Sequence, residues 1–275
     1  MDSLLELTGL IEADSEDNEF DLASFIRTHP LLSKLAYGLL GLLLTVVRGC
    51  QIPPSTEGEI EPCFYRHSVA FDGGLRSYEV YVPDHYDANA SWPLILFWHG
   101  IMESGDDGCA HLDVGIGPAI RKYPERYPCI VAFPQLPWNT SAEEAEALFE
   151  AVQTDVQTRY TIDPNRIYAT GISYGAGGTW RLAAHHPGQF AAIVPIAGCG
   201  NTDDIPGLLH VAIWTFASAE DTFSGGQRWR DFVKALCDAG ASVKATEFSG
   251  SSHTIWNRVY QDPAVTDWLF NQSTR

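Results

Sequence analysis

Arg166-Ile-Tyr-Ala-Thr-Gly171-Ile-Ser173-Tyr-Gly175-Ala-Gly-Gly-Thr-Trp180 decides the fold of this chain. Its first five residues form the short apolar and aromatic run expected of a buried strand. From Tyr174 to about His186 the pattern is helical, and Pro187 stops it. Between the two stands a G-x-S-x-G pentapeptide. A strand that enters a helix through this pentapeptide makes a sharp, strained turn, which lifts the Ser173 hydroxyl off the carboxyl edge of the sheet. The N–H of Tyr174 then lies at a helix start, where partial positive charge gathers. Glycine is expected at 171 and 175 because side chains there would strike the neighbouring strand and helix.

The flanking sequence repeats the alternation of strand and helix. Residues 64–71 and 77–82 predict opening strands, the second ended by Pro83. Residues 94–98 (LILFW) and 130–133 (IVAF) are continuous apolar runs, as in strands buried on both faces of a parallel sheet. Ser141 and Glu144 form a capping box. Behind it Ala145, Leu148, Phe149, Val152 and Val156 share one helical face over 141–160. Asp163-Pro-Asn165 predicts a turn, residues 191–197, 210–216 and 243–248 predict strands, and helices are expected at 226–239 and near the C-terminus. The implied class is α/β, a mostly parallel, doubly wound sheet over residues 63–275. Eleven residues between Gly198 and His210 leave no room for a cap domain.

Residues 1–62 differ. They hold eleven acids against three bases and end in a linker-like run, Gln51-Ile-Pro-Pro-Ser-Thr-Glu-Gly-Glu59, and so predict an acidic appendage. Within it, Leu35 to Val47 (LAYGLLGLLLTVV) is uncharged but short of the about 20 residues that span a bilayer. Its readings are a helix packed on the domain or on a partner, a membrane anchor, or an export signal. Localisation therefore stays open. The formal net charge of −18 over 275 residues argues against nucleic acid as a partner. No C-x-x-C pair or zinc-type spacing occurs among the six cysteines, so no metal is expected and buried free thiols are.

A serine hydroxyl needs a base and an orienting carboxylate, which follow it in this architecture in the order serine, acid, histidine. His253, in Gly250-Ser-Ser-His253-Thr, lies in the loop after the last strand and is the expected base. His185 and His186 end a helix, where capping is expected, and His210 is expected in the core. For the acid, Asp221 is preferred over Glu220 in the same loop and over Asp203 and Asp204. A tetrahedral intermediate would need two N–H donors, expected at Tyr174 and at Ile101 after the His99-Gly100 turn. His99 itself is expected to be structural. Trp138 and Trp256 are candidate aromatic walls of a cleft.

With its 163–180 segment, Pro187 to Gly198, Trp214 to Asp221, His253 to Trp256 and the closing 260–272 segment, the chain resembles the lidless α/β-hydrolases grouped as esterases and "predicted peptidases", kin of feruloyl esterases and polyhydroxybutyrate depolymerases. The resemblance runs over about residues 64–272 and implies a Ser173, Asp221, His253 triad with the Ile101 and Tyr174 donors. It departs at Ile101-Met-Glu-Ser-Gly105, where the family carries small residues followed by Glu-Arg-Gly, and at Ala217-Ser218, where it carries His-Gly. The implied reaction is hydrolysis of small or short-chain carboxylic esters through an acyl-serine, without cofactor. A feruloyl- or polymer-type esterase and a serine peptidase are the alternatives. Oligomeric state is not legible.

Overall fold

The computed structural model describes residues 57–274. The Leu35 to Val47 run and the leader up to 56 lie outside the described residues. In chain order the elements are β1 (Gly58–Glu61), β2 (Phe64–Phe71), β3 (Gly74–Tyr81), β4 (Trp92–Trp98), α1 (Ile116–Lys122), β5 (Ile130–Pro134) and α2 (Ala142–Arg159). Then come β6 (Ile162–Ile172), α3 (Tyr174–His185), β7 (Ala192–Ile196), β8 (Ala212–Ser218), α4 (Gly226–Asp238), β9 (Val243–Phe248), α5 (Trp256–Tyr260) and α6 (Pro263–Phe270). All nine strands join one sheet in the order β1-β2-β3-β5-β4-β6-β7-β8-β9. The pairs from β1 through β5 along that order are antiparallel, and β5 to β9 are parallel.

The central parallel strands β4, β5 and β7 are buried on both faces, which is why their sequences are continuously apolar rather than alternating, whereas β9 at the sheet edge is mixed and largely exposed. Along β4, Leu94, Leu96 and Trp98 face one layer, while Ile95 and Phe97 face the other. The first layer is covered by α2, α3 and α4, the second by α1, α5 and α6. On α2 the five apolar residues of the expected face are 0–2% exposed. At roughly 1.5–3 kcal/mol per large side chain, that face outweighs the weak intrinsic preference of the helix. The capping box closes its first turn: Ser141 Oγ accepts from Glu144 N, and Glu144 Oε2 accepts from Ser141 N. Phe149 of α2 stacks on Trp98 with ring centroids 4.2 Å apart, anchoring the end of β4 just before His99.

Several expectations fail locally. β6 runs through Asp163-Pro-Asn165 and starts at Ile162, with a register shift against β4 where that turn was expected. His210 is exposed in a turn before β8 and is not core. Gly58–Glu61, expected within the linker and appendage, pairs with β2. Cys63, Cys129, Cys199 and Cys237 are free, but Cys109 is disulfide-bonded, so the free-thiol expectation does not hold for it. Between β7 and β8 the chain forms only a 3-10 turn at Thr202–Leu208, and no cap is inserted there. No helix among the described residues is long and apolar enough to cross a membrane.

Candidate active site

Ser173 sits between β6 and α3 with φ 52° and ψ −115°. A non-glycine residue in this region stores about 1–3 kcal/mol of strain, which the surrounding packing must hold. Gly171 and Gly175 explain how the packing comes close enough. A Cβ at 171 would lie 2.3 Å from the Gly175 carbonyl oxygen, and one at 175 would lie 2.1 Å from the Trp98 carbonyl oxygen. The Ser173 N–H donates to Ile196 O on β7 at 2.9 Å, so the turn is fixed from the neighbouring strand. The half-buried serine side chain then stands at the first turn of α3.

Two loops at the same sheet edge bring the other groups. After β8 comes Asp221, whose side chain is fully buried; after β9 comes His253, whose side chain is 20% exposed. His253 Nε2 lies 2.8 Å from Ser173 Oγ, and His253 Nδ1 lies 2.8 Å from Asp221 Oδ2. The loops are tied together by Ser218 Oγ donating to Ser252 O at 2.6 Å and by Ala219 N donating to Phe248 O at 2.8 Å. Burial by itself would raise the Asp221 carboxyl. Hydrogen bonding and positive charge from His253, with the Phe223 N–H and the Ser224 hydroxyl, overcome it and hold Asp221 below the usual carboxylate range. The other acids considered in sequence stand elsewhere. Glu220 and Asp203 are exposed, and Asp204 lies 3.7 Å from His185 Nε2.

Ser224 carries no sequence signal, yet it touches both the acid and the imidazole of this arrangement. Its Oγ lies 2.5 Å from Ala197 O, 3.1 Å from Asp221 Oδ2 and 3.3 Å from His253 Nδ1. Phe223, half exposed, packs its ring 5.3 Å from the His253 ring, and Trp256 meets the same imidazole edge-on at 5.7 Å. Phe223 was also not foreseen, although an aromatic residue in a polar turn after the acid is a readable oddity.

Ile101 opens a 3-10 turn, Ile101–Glu103, directly after Gly100. The loop is held from below by His99, which is fully buried: its Nδ1 bonds Gly100 O at 2.7 Å, and its Nε2 accepts the Leu136 N–H at 2.9 Å. Burial, aided by His111, drives its pKa down to about 3, so the ring is neutral with the proton on Nδ1. His99 is thus structural, as expected. Trp138 lies half-buried two residues beyond Leu136, in the loop that His99 pins. Farther under the loop a buried set escaped the sequence. Arg66 Nε lies 2.6 Å from Glu79 Oε1, His111 Nε2 lies 2.8 Å from Glu79 Oε2, and an Arg66 guanidinium nitrogen donates to Gly108 O at 2.7 Å. Gln135 Nε2 donates to Glu103 O at 3.0 Å and so ties the 3-10 turn to the end of β5.

The N–H of Tyr174, first in α3, belongs to the helix-start donors that have no intrahelical acceptor. A cavity of about 780 Å³ opens farther along α3, lined by Gly177, Arg181, Cys199, Asn201, Arg228 and Phe232 among others, and no triad residue lines it. The triad itself opens at the sheet edge, with Tyr174, 39% exposed, beside it. A hydroxyl, an imidazole and a buried carboxylate in series can move a proton from oxygen to nitrogen and make a nucleophile at neutral pH.

No family model matches the chain. Among curated proteins it is 27% identical over 135 residues to feruloyl esterase D of Neurospora crassa, covering 46% of this chain and 47% of that protein. It is 29% identical over 136 residues to poly(3-hydroxyalkanoate) depolymerase C of Paucimonas lemoignei, covering 46% and 32% respectively. The chain thus spans about half or less of the length of the curated relatives it matches. Among solved structures, a thermostable esterase is 27% identical with TM-score 0.69, over 77% of this chain and 64% of that one. A feruloyl esterase module from Clostridium thermocellum, solved with sinapinate, is 16% identical with TM-score 0.61, over 80% and 89%. The protein therefore has the α/β-hydrolase fold, without a cap among its described residues, and is similar in sequence to feruloyl esterases and to a poly(3-hydroxyalkanoate) depolymerase.

Proposed function

We propose that this protein is a serine carboxylesterase acting through an acyl-serine intermediate. The observation that carries the reading is the unbroken series Ser173 Oγ, His253, Asp221, with both hydrogen bonds at 2.8 Å, built on a strained turn. In this mechanism His253 Nε2 takes the Ser173 proton as Oγ attacks the ester carbonyl. The tetrahedral oxyanion is met by the N–H groups of Tyr174 and Ile101. His253 then returns the proton to the leaving alcohol, and water repeats the sequence to release the acid. Asp221, kept ionised, holds the imidazole tautomer and stabilises the imidazolium. None of these steps uses a metal or an organic cofactor.

Small or short-chain esters are the favoured substrates, because the triad lies at the sheet edge and no cap is inserted between β7 and β8 among the described residues. Trp138, Trp256 and Phe223 are the side chains assigned to the acyl or alcohol group. One observation favours a second reading, an esterase for aromatic acyl groups: two aromatic rings, Phe223 and Trp256, flank the imidazole within 6 Å. A panel of p-nitrophenyl acetate, butyrate and octanoate, methyl ferulate and peptide anilides tests both. The proposal expects turnover of the acetate and butyrate above that of the octanoate, and none of the anilides. Hydrolysis of anilides at comparable kcat/KM would make the protein a peptidase and overturn it.

A further inference from the structure

We propose a divalent metal site of the zinc class at the far end of α3, formed by Glu146 and Glu150 of α2 with His186. The ligand atoms of Glu146, Glu150 and His186 all lie within 4.8 Å of one another. His186 Nε2 is 3.1 Å from Glu146 Oε1 and 2.9 Å from Glu150 Oε1. His185 Nδ1 stands 2.9 Å from the same Glu146 oxygen.

Backbone geometry explains how two adjacent residues converge. His185 is the last residue of α3, and His186 leaves the helix at φ −121° and ψ 63°, which turns its ring back toward the carboxylates. Zinc bonded tetrahedrally to nitrogen and oxygen at about 2.0–2.2 Å separates its ligand atoms by roughly 3.3 Å, close to the spacing of His186 Nε2 from each carboxylate. The other Glu146 oxygen accepts from Arg181 Nε at 2.9 Å, the kind of outer contact that orients a metal-binding carboxylate. Glu143 and Glu146 both pair with the Arg181 guanidinium, while Asp204 and Glu150 face the two histidines. The helix end adds partial negative charge. These residues lie forty positions apart on two helices, so no spacing motif announces them, and the expectation of no metal rested on spacing alone.

Twelve helical residues, about 18 Å, separate Ser173 from this cluster. The site therefore staples α2 to α3 and takes no part in hydrolysis. The test is calorimetric titration of the full, chelator-treated protein with ZnCl2, with MgCl2 in parallel, and thermal melts at each metal concentration. The expected result is one high-affinity Zn²⁺ per chain, a Tm raised by a few degrees, and Mg²⁺ binding at least tenfold weaker. Both Glu150→Gln and His186→Gln should weaken Zn²⁺ binding at least tenfold while near-UV circular dichroism and ester turnover stay unchanged. Glu150 is exposed, so that variant keeps the fold even if the other does not. Absence of saturable Zn²⁺ binding, Mg²⁺ binding as tight as Zn²⁺, or Zn²⁺ affinity within twofold of the parent in Glu150→Gln would overturn the site. The metal-binding, thermal and circular-dichroism readouts do not depend on whether the protein is an esterase.

Discussion

The two ends of α3 hold the same pair of groups and differ in what surrounds them. At the N-terminal end His253 meets Asp221 at 2.8 Å; at the C-terminal end His185 and His186 meet Glu146 at 2.9–3.1 Å. At the first end the carboxylate is fully buried and held by a backbone N–H and a hydroxyl, and the second imidazole nitrogen faces a serine hydroxyl on a strained residue. At the other end the second nitrogen of His185 faces another carboxylate, and Arg181 holds the shared one. The helix sharpens the contrast, since its start favours a developing oxyanion and its end favours a cation. A histidine beside a carboxylate is thus common to both, and chemistry is set by the third group and the sign of the local field.

The largest effects should separate the two ends. Ser173→Ala and His253→Ala should each lower kcat for p-nitrophenyl butyrate by about 10⁴-fold or more, and Asp221→Asn by about 10³–10⁴-fold. His185→Gln and His186→Gln should leave kcat within about twofold, as steady-state kinetics on purified variants will check. A large loss in either of the latter would erase the distinction drawn here. Next comes Ser224→Ala. The lost contacts to Asp221 and His253 should cost about tenfold in kcat, equivalent to about 1.4 kcal/mol, with KM unchanged. A change confined to KM would make Ser224 a substrate contact instead.

A smaller effect concerns stability in acid. His99 titrates near 3 when folded and near 6.5 when unfolded, so between those values only the unfolded chain holds the proton. Stability is therefore lost as pH falls through that window, by about 1.4 kcal/mol per pH unit from this one ring. The depressed Asp221 acts in the same direction, contributing stability at neutral pH that is lost as pH falls through its folded pKa. Melts from pH 7 to 4 should show a shallower fall in Tm for His99→Gln than for the parent protein. The smallest effect is that of Phe223→Ala, which should raise KM for aryl esters about three- to tenfold and leave acetate almost untouched, since one exposed ring supplies about 1 kcal/mol of contact.

Legibility followed the range of the interactions. The Ser173 turn, the α2 capping box and the buried strands were visible because each is specified within a few neighbouring residues. His253 and Asp221 were reachable through chain order in a strand and helix alternation, not through any local motif. β1 (GEIE) hides its pairing behind charge and exposure, and α1 starts after Gly115 with no side-chain cap and carries Gly117 and Pro118 in its first turn. Gln135, the buried Arg66, Glu79 and His111, and the Ser224 contact to His253 draw on partners from 13 to 42 positions away, and a single sequence shows no trace of such convergence.

The central claim is that one hydroxyl, at position 173, is the activated nucleophile. Incubation with a fluorophosphonate, followed by proteolysis and mass mapping, tests it directly. The account predicts a single adduct on Ser173, formed far more slowly in His253→Ala and absent in Ser173→Ala. An adduct on another residue at comparable rate, or undiminished labelling of Ser173→Ala, would contradict it.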